Sequence, residues 1–337
     1  MTDEPTRRRP TLDEVAERAG VSRSAASRAL NNGPNVSRAK REAVLRAIKE
    51  LGYVPNPTAR ALATQQAGAV ALIISGEDPA VLADPFYGQV IAGASTVLEE
   101  TDLHLMLCLA TSARGQVRVK QLLQARAVDG VMLMSLRGDD PLARLALEAD
   151  VPVVFGGKPL HGQVPFYVDV DNAHGARQAT DHLISLDRTR IATLTGPLDT
   201  DVGLARRRGY LEALTLAGLP WRAEEAGDFT ERGGIAAMEA LLARHPDLDA
   251  VFAANDNMAA GALRVLARAG RAVPAEVAVV GFDGLAISEI TEPPLTTVHQ
   301  PILNIGREMT RMLLALIAGE RPSPLILPTT LVRRESA

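Results

Sequence analysis

Two groups of side chains stand out for the chemistry that their types and spacing allow. In "GVSRSAASRALNN" (residues 20–32), Arg23, Ser24, Ser27 and Arg28 are the polar positions of a short helix. Guanidinium and hydroxyl donors on such an element can reach base edges in the major groove, while neighbours hold phosphates. The second group is dispersed, but each member follows an apolar run. Phe86 and Tyr87 lie in "DPFY", Arg206 in "TGPLDTDVGLARRRGY", Asn255 and Asp256 in "AANDNMAAGAL", and Asp283 in "VVGFDG". Aromatic faces, a guanidinium, an amide and a carboxylate suit a polyhydroxylated ring, which stacks on its faces and hydrogen-bonds at its rim. Asp256 is also a plausible helix N-cap.

Catalytic chemistry has little support. No GxGxxG follows a strand, and "GGKP" (156–159) lacks the rest of a phosphate loop. The six histidines form neither HExxH nor another metal-ligand spacing. Cys108 sits in an apolar strand, where a buried, inert thiol is expected. The expectation is therefore a binding protein that is not an enzyme and needs no cofactor.

The elements that must position these residues are legible in outline. "TLDEVAERAGVSRSAASRALNN" supplies two short helices and a turn. Thr11 and Glu14 have capping-box spacing, Leu12, Val15, Ala16 and Ala19 make one apolar face, and Gly20 stops the first helix. Ser22 can cap the second helix, and Ala16, Ala25 and Ala26 would let helices approach closely. A third helix fits residues 37–51, with Val44, Leu45, Ile48 and Leu51 inward; Gly52, Pro55 and Pro57 end it. A ligand-free three-helix bundle has the same pattern, but the projecting polar positions on a basic unit favour DNA. Residues 1–66 hold twelve Lys/Arg against seven Asp/Glu, a net of +5, which leaves −9 for the remainder of a chain whose net charge is −4. A basic head on an acidic body places any polyanion at the head.

After residue 67, short apolar runs alternate with amphipathic helices, the pattern of parallel sheets built from βαβ units. Strands are expected at 69–75, 103–109, 130–134, 151–156 and 166–170, and then at 190–196, 249–255 and 276–283. Helices are expected near 86–100, 115–125, 172–186, 204–218, 232–244, 257–269 and 301–318. Two such lobes would hold a ligand between them at the C-terminal ends of their strands. The expected fold class is α/β, with a three-helix helix-turn-helix head. The domains run over 1–56 (DNA-binding), 57–66 (hinge or linker) and 67–337 (two-lobed effector-binding and dimerisation domain).

These motifs resemble the lactose/galactose repressor (LacI/GalR) family. "TLDEVAERAGVSRSAASRALNN", "VSRAKREAVLRAIKELGYVPN" and "ARALA" match its head almost without gaps over about sixty residues. "VDVDNAHGARQATDHL", "GPLDTDVGLARRRGY", "AANDNMAAGAL", "VPAEVAVVGFDG" and "PPLTTVHQP" extend the match over nearly the whole chain. The resemblance implies that Arg23, Ser24 and Arg28 read bases and that Thr11, Ser22, Ser27, Asn31 and Tyr53 lie near phosphates. It also implies that "NPTARALATQQ" (56–66) is a hinge helix placing Arg60 and Leu62 at the operator centre. Leu62 would wedge between base pairs, exchanging unstacking of a few kcal/mol per step for bent DNA that touches more protein. As an ordinary linker, the same segment would pack Leu62 on the body.

In the effector domain the resemblance implies a periplasmic-binding-protein-like fold, with Arg206, Phe229, Asn255, Asp283 and Gln300 in the pocket. Phe86, Tyr87, Met134, Ser135 and His174 follow, although core packing or capping serves those five as well. Asp171 and Asn172 read as helix-start caps. Asp187 stands where the family usually has a helix-ending glycine, which changes a turn. Met134 replaces a polar side chain of some sugar-binding members.

The expected function is sequence-specific transcriptional regulation, most simply repression. It would act on pseudo-palindromic double-stranded operator DNA and answer to a small-molecule effector such as a sugar. A corepressor-type regulator responding to a nucleobase is the alternative. A transport solute-binding protein would share the body but not the head. With no apolar h-region after the first arginines, no membrane-length apolar run and one cysteine, the cytoplasm is expected. The ending "LVRRESA" carries no leucine heptads, so a homodimer is expected rather than a tetramer.

Overall fold

Thr11 opens the first helix, α1 (Leu12–Arg18), from extended backbone, and the reciprocal capping box with Glu14 is formed. This computed structural model describes residues 10–30, 33–54, 66–76, 83–134, 137–161 and 163–337. Gly20, at φ +65, makes the turn into α2 (Arg23–Leu30), where Ser22 Oγ accepts the Ala25 amide. The third helix, α3 (Arg38–Leu51), starts at the Ser37 cap and ends on Gly52 in the left-handed region. Val15, Ala16, Ala26, Ala29, Val44 and Ala47 form the core of this unit, with Ile48, Leu51 and Tyr53 packed on it. Leu45, expected inward, is 52% exposed. It lies about 100° around the helix from Val44, and Ala47 takes the core position instead.

The chain divides into two compact units, through Gly68 and from Ala69 onward. The second begins with β1 (Ala69–Ser75), α4 (Pro85–Leu98), β2 (His104–Ala110), α5 (Ala113–Gln124), β3 (Gly130–Met134), α6 (Pro141–Glu148), β4 (Val153–Gly156) and β5 (Tyr167–Val170). It continues with α7 (Asn172–Ser185), β6 (Ile191–Thr195), α8 (Asp201–Leu216), β7 (Ala223–Ala226), α9 (Glu231–Arg244), β8 (Ala250–Ala253) and α10 (Asp256–Arg268). The last elements are β9 (Ala278–Asp283), α11 (Ile287–Ile290), β10 (Thr296–His299), α12 (Ile302–Ile317), β11 (Leu325–Leu327) and β12 (Thr330–Val332).

These strands form two six-stranded sheets, ordered β11-β5-β4-β3-β1-β2 and β12-β10-β9-β8-β6-β7. All neighbours are parallel except β10 and β12. The chain crosses between sheets after β5, after β10 and between β11 and β12, so neither lobe is one continuous stretch. Val70, Leu72 and Ile74 of β1 face one core and Ala71 and Ile73 the other. Burial on both faces is why this strand reads as an unbroken apolar run.

The structure adds elements beyond the expected set: α6, β7, α11, β10, β11 and β12. "AEEA" of β7 is an edge strand paired only with β6, so half of it faces solvent and no apolar run marks it. Cys108, expected to be buried, is half-buried on edge strand β2, and burial pushes its thiol up from the ordinary value. Asp187 adopts φ +61, a left-handed conformation that Asp tolerates better than most residues. No helix among the described residues is long and apolar enough to cross a membrane.

Candidate functional sites

On α2, Arg23, Ser24 and Arg28 are exposed and Ser27 is half-buried. The buried Ala26 and Ala29 hold this helix to the head core, so its polar face is free of core contacts. Arg23 pairs with Asp13 at 3.3 Å, with its side chain 72% exposed. Such a pair contributes little and can be exchanged for a DNA contact. Ser22 is exposed, while Thr11 and Tyr53 are half-buried. Asn31, Arg60 and Leu62 lie outside the described residues, as does Ser135.

The second site is a cavity of about 640 Å³ in the two-lobed unit, within the usual range for small-molecule sites. It lies where strands of both sheets end. The first lobe contributes Ser75, Asp84, Phe86, Tyr87, Met134, Arg137, Lys158 and Asp169. The second contributes Thr200, Arg206, Phe229, Asn255, Asn257 and Asp283, and Gln300 enters from the segment leaving β10. His174 does not line this cavity. It sits exposed in the first turn of α7, where Asp171 caps its amide, so its assignment to the pocket is corrected.

Arg206 organises the floor. Its Nε donates to Asn172 Oδ1 at 2.9 Å, and its Nη1 donates to the Ala254 carbonyl at 2.6 Å and Asp283 Oδ1 at 3.0 Å. The guanidinium lies 3.7 Å from the Phe282 ring centroid. Gln300 Nε2 donates to the same Asp283 oxygen at 2.6 Å. Arg206, Asp283 and Gln300 are each at most 4% exposed. Burial lowers the Arg206 pKa against the pull of Asp283, and burial pushes Asp283 up to about 6 against the pull of Arg206. Among the described residues no hydrogen bond engages Arg206 Nη2 or Asp283 Oδ2. The Nη2 amino group and the Oδ2 acceptor are thus left for a ligand.

The wall residues are held in unusual backbone. Phe229 has φ +68 and Asp283 φ +106, conformations that cost of order 1–3 kcal/mol each and cluster at binding sites. Asn255 holds Phe229 by donating from Nδ2 to its carbonyl at 2.8 Å. Gly196 gives the Phe229 ring its place, since a Cβ there would stand 2.2 Å from Cζ. Phe86 and Tyr87 meet edge-to-face at 5.3 Å beside the N-terminus of α4, where Asp84 caps Phe86.

Two expectations about caps are corrected. Asn172 is not a cap: Asp171 caps α7, and the buried Asn172 side chain bridges Arg206 and Asp169. Asp256 is not the cap of α10 either. Asn255, in extended backbone, accepts the Met258 amide. Asp256 lies fully buried beneath the site, accepting from Thr297 Oγ1 at 2.5 Å and the Leu285 amide at 2.7 Å.

Sequence reasoning also missed Asp84, Arg137, Lys158 and Asp169. Alternation along "YVDV" could have found Asp169, because Val168 and Val170 face the core and the residue between them faces away. Asp169 Oδ1 accepts from the Val170 amide at 2.7 Å and Asn172 Nδ2 at 3.0 Å. Burial raises its carboxyl from 3.8 to about 6, a shift that the Val170 hydrogen bond opposes and Asp201 adds to. The folded state therefore holds this proton more tightly than the unfolded chain. The resulting stabilisation is present below about pH 4 and lost as pH rises through about 6. Across that window the stability gap between wild type and Asp169→Asn is expected to change by up to about 3 kcal/mol. Melting curves at matched pH read this directly, and a constant gap would contradict it.

A helix-turn-helix unit with a separate two-lobed α/β unit, whose strands end on a polar cavity, defines a ligand-responsive transcriptional regulator. Residues 11–56 match the model of "Bacterial regulatory proteins, lacI family", and residues 180–337 that of "Periplasmic binding protein-like domain". The chain is 48% identical to the HTH-type transcriptional regulator CelR of Thermobifida fusca, covering 98% of this chain and 99% of that one. It is 35% identical to the HTH-type transcriptional regulator GalR of Escherichia coli K12, covering 97% and 95%. Among solved structures, a CelR–cellobiose complex is similar at 46% identity and TM-score 0.78, covering 98% and 100%. The lac repressor dimer bound to operator and an anti-inducer is similar at 28% identity and TM-score 0.85, covering 98% and 99%. The chain belongs to the lacI family of bacterial regulatory proteins; it is a transcriptional regulator and not an enzyme.

Proposed function

We propose that this regulator represses transcription from pseudo-palindromic operator DNA as a homodimer, and that a sugar bound in the cavity changes its operator affinity. The observation that supports the sugar reading best is the Arg206–Asp283–Gln300 cluster in one cavity with the Phe229, Phe86 and Tyr87 rings. Fixed donors and acceptors beside aromatic faces fit a sugar, and the similar CelR structure holds cellobiose. A neutral disaccharide at a hundred times its Kd is expected to add about 2.7 kcal/mol of stability. Thermal shift across a panel of sugars and nucleobases tests this; a response to nucleobases alone would overturn it.

Dimerisation is supported by apolar surface on a single chain. Met106 and Leu107 on the open edge of β2 are 38% and 42% exposed, and Ile290 on α11 is 79% exposed. An open apolar edge strand needs cover. We place the regulator in the bacterial cytoplasm, at the nucleoid when it is on its operator.

For the head, Arg23, Ser24 and Arg28 are proposed to read bases. Arg28→Ala, and to a lesser degree Arg23→Ala, is expected to weaken specific operator binding by about 1–3 kcal/mol with a smaller change on random DNA. Anisotropy titrations on both duplexes distinguish this from phosphate contact, for which both affinities fall together. Leu62→Ala on the same operator is expected to reduce DNA bending if Leu62 is the wedge.

A further inference from the structure

The cavity carries an electrostatic pattern that narrows the ligand beyond "a sugar". Six carboxylates among the described residues line it: Asp84, Asp169, Asp201, Asp228, Glu231 and Asp283. Among the described residues three cations do, and two of those already hold a carboxylate of the chain. Arg206 is bonded to Asp283, and Arg137 holds both oxygens of Asp199 at 3.1 Å, on the loop after β6. The third, Lys158, is exposed, lies 5.2 Å from the Tyr167 ring centroid, and acts electrostatically on Asp169.

Helix N-termini are the other places where a phosphate or carboxylate could dock, through free amides and the helix dipole. At four of those that begin beside the cavity a carboxylate of the chain stands at the cap or in the first turn, whereas α12, whose flanking Gln300 and Ile305 line the cavity, has none there. Asp84 caps α4 and accepts the Phe86 amide. Asp201 is in the first turn of α8, Glu231 in that of α9 and Asp256 in that of α10. Thr200, Thr230 and Asn255 take amides at those same three ends. At those four ends the usual anion sites are therefore filled from within.

We propose that the cavity admits uncharged polyhydroxylated ligands and excludes phosphorylated or acidic sugars, and that Asp169 is a specificity-determining residue of this selection. The proposal rests on the reading of the cavity as a sugar site. Asp169 lines the cavity, and its Oδ1 is fixed by Val170 and Asn172. No hydrogen bond among the described residues engages its Oδ2, which is thus an acceptor for a ligand hydroxyl. An anionic substituent beside it would face Asp169 and Asp201 together, with exposed Lys158 as the one lining cation among the described residues not held by a carboxylate of the chain, and like-charge juxtaposition costs several kcal/mol. Burial holds the Asp169 carboxyl above its ordinary value, and Asp201 contributes to that rise, in keeping with a region already rich in negative charge.

The test is isothermal titration of the full-length protein at pH 8, where Asp169 is ionised, with cellobiose, cellobiose 6-phosphate and cellobionic acid, and with a set of nucleobases. Wild type is expected to bind the neutral sugar at least about a hundredfold more tightly than either anion. Asp169→Asn keeps the side chain's size and its Oδ1 acceptor while removing the charge. It is expected to weaken cellobiose binding about tenfold and to tighten binding of the anions, so that the ratio between them collapses. An anion bound by wild type as tightly as cellobiose, or an unchanged ratio in Asp169→Asn, would overturn the proposal. Binding of an uncharged nucleobase alone would overturn the sugar reading while supporting the exclusion of anions, so the two failures are separable. Melting temperatures of both proteins check that the variant is folded.

Discussion

Arg206→Ala is expected to abolish the sugar response and to lower the stability of the two-lobed unit by about 3–5 kcal/mol. Its guanidinium holds Asn172, the Ala254 carbonyl and Asp283 at once, and it is 4% exposed. Truncation leaves the buried Asp283 with Gln300 as its remaining side-chain partner, while Asp84 adds repulsion. Loss of response could then reflect damage to the fold alone. Arg206→Lys separates the two causes, because it keeps a positive charge but cannot reach three partners with a planar fork. The lysine variant is expected to melt closer to wild type and still bind sugar about a hundredfold more weakly, by calorimetry. Wild-type affinity in Arg206→Lys would show that Arg206 supplies charge to the fold and nothing specific to the ligand.

Asp256→Ala is expected to cost about 3 kcal/mol or more and to lose sugar binding, although Asp256 does not line the cavity. Its carboxyl is fully buried and takes the Thr297 hydroxyl and the Leu285 amide. The Leu285 amide belongs to the segment that leaves β9 directly after Asp283, so Asp256 anchors the strained backbone that aims Asp283 into the cavity. Burial, reinforced by Asp283, pushes the Asp256 carboxyl well up. Removing it relieves that repulsion but strands two buried donors, and the stranded donors dominate. Urea unfolding reads the loss, and an unfolding free energy within about 1 kcal/mol of wild type would contradict it.

Much of the framework was legible in the sequence, because the central strands are buried on both faces and the helices repeat at 3.6. The elements missed are those for which that signal fails. β7 is polar because it is an edge, and β10 to β12 are three or four residues long. Leu45 was misplaced because a run of "AVLRAI" offers two adjacent apolar phases and only packing selects one.

Within the cavity, residues at the ends of long strands were visible from the rule for open α/β sheets. The roles of Asn172 in the cavity and of Asp256 beneath it were not, because each stands beside a second cap-type residue. Only the neighbour in non-helical backbone can cap, as Asp171 and Asn255 do. Asp169 was hidden inside a strand read as apolar, and Arg137 pairs with Asp199 in the opposite lobe, which spacing along the chain does not show.

The coupling between cavity and operator is tested most directly by one titration. Full-length wild type and Arg206→Lys would be titrated onto a selected operator duplex, with and without saturating neutral disaccharide, at fixed salt. Wild type is expected to change its operator affinity about tenfold or more on adding sugar, and Arg206→Lys to show the same sugar-free affinity with no change at that sugar concentration. Identical wild-type affinities with and without bound sugar would contradict the claim that this cavity controls the DNA-binding head.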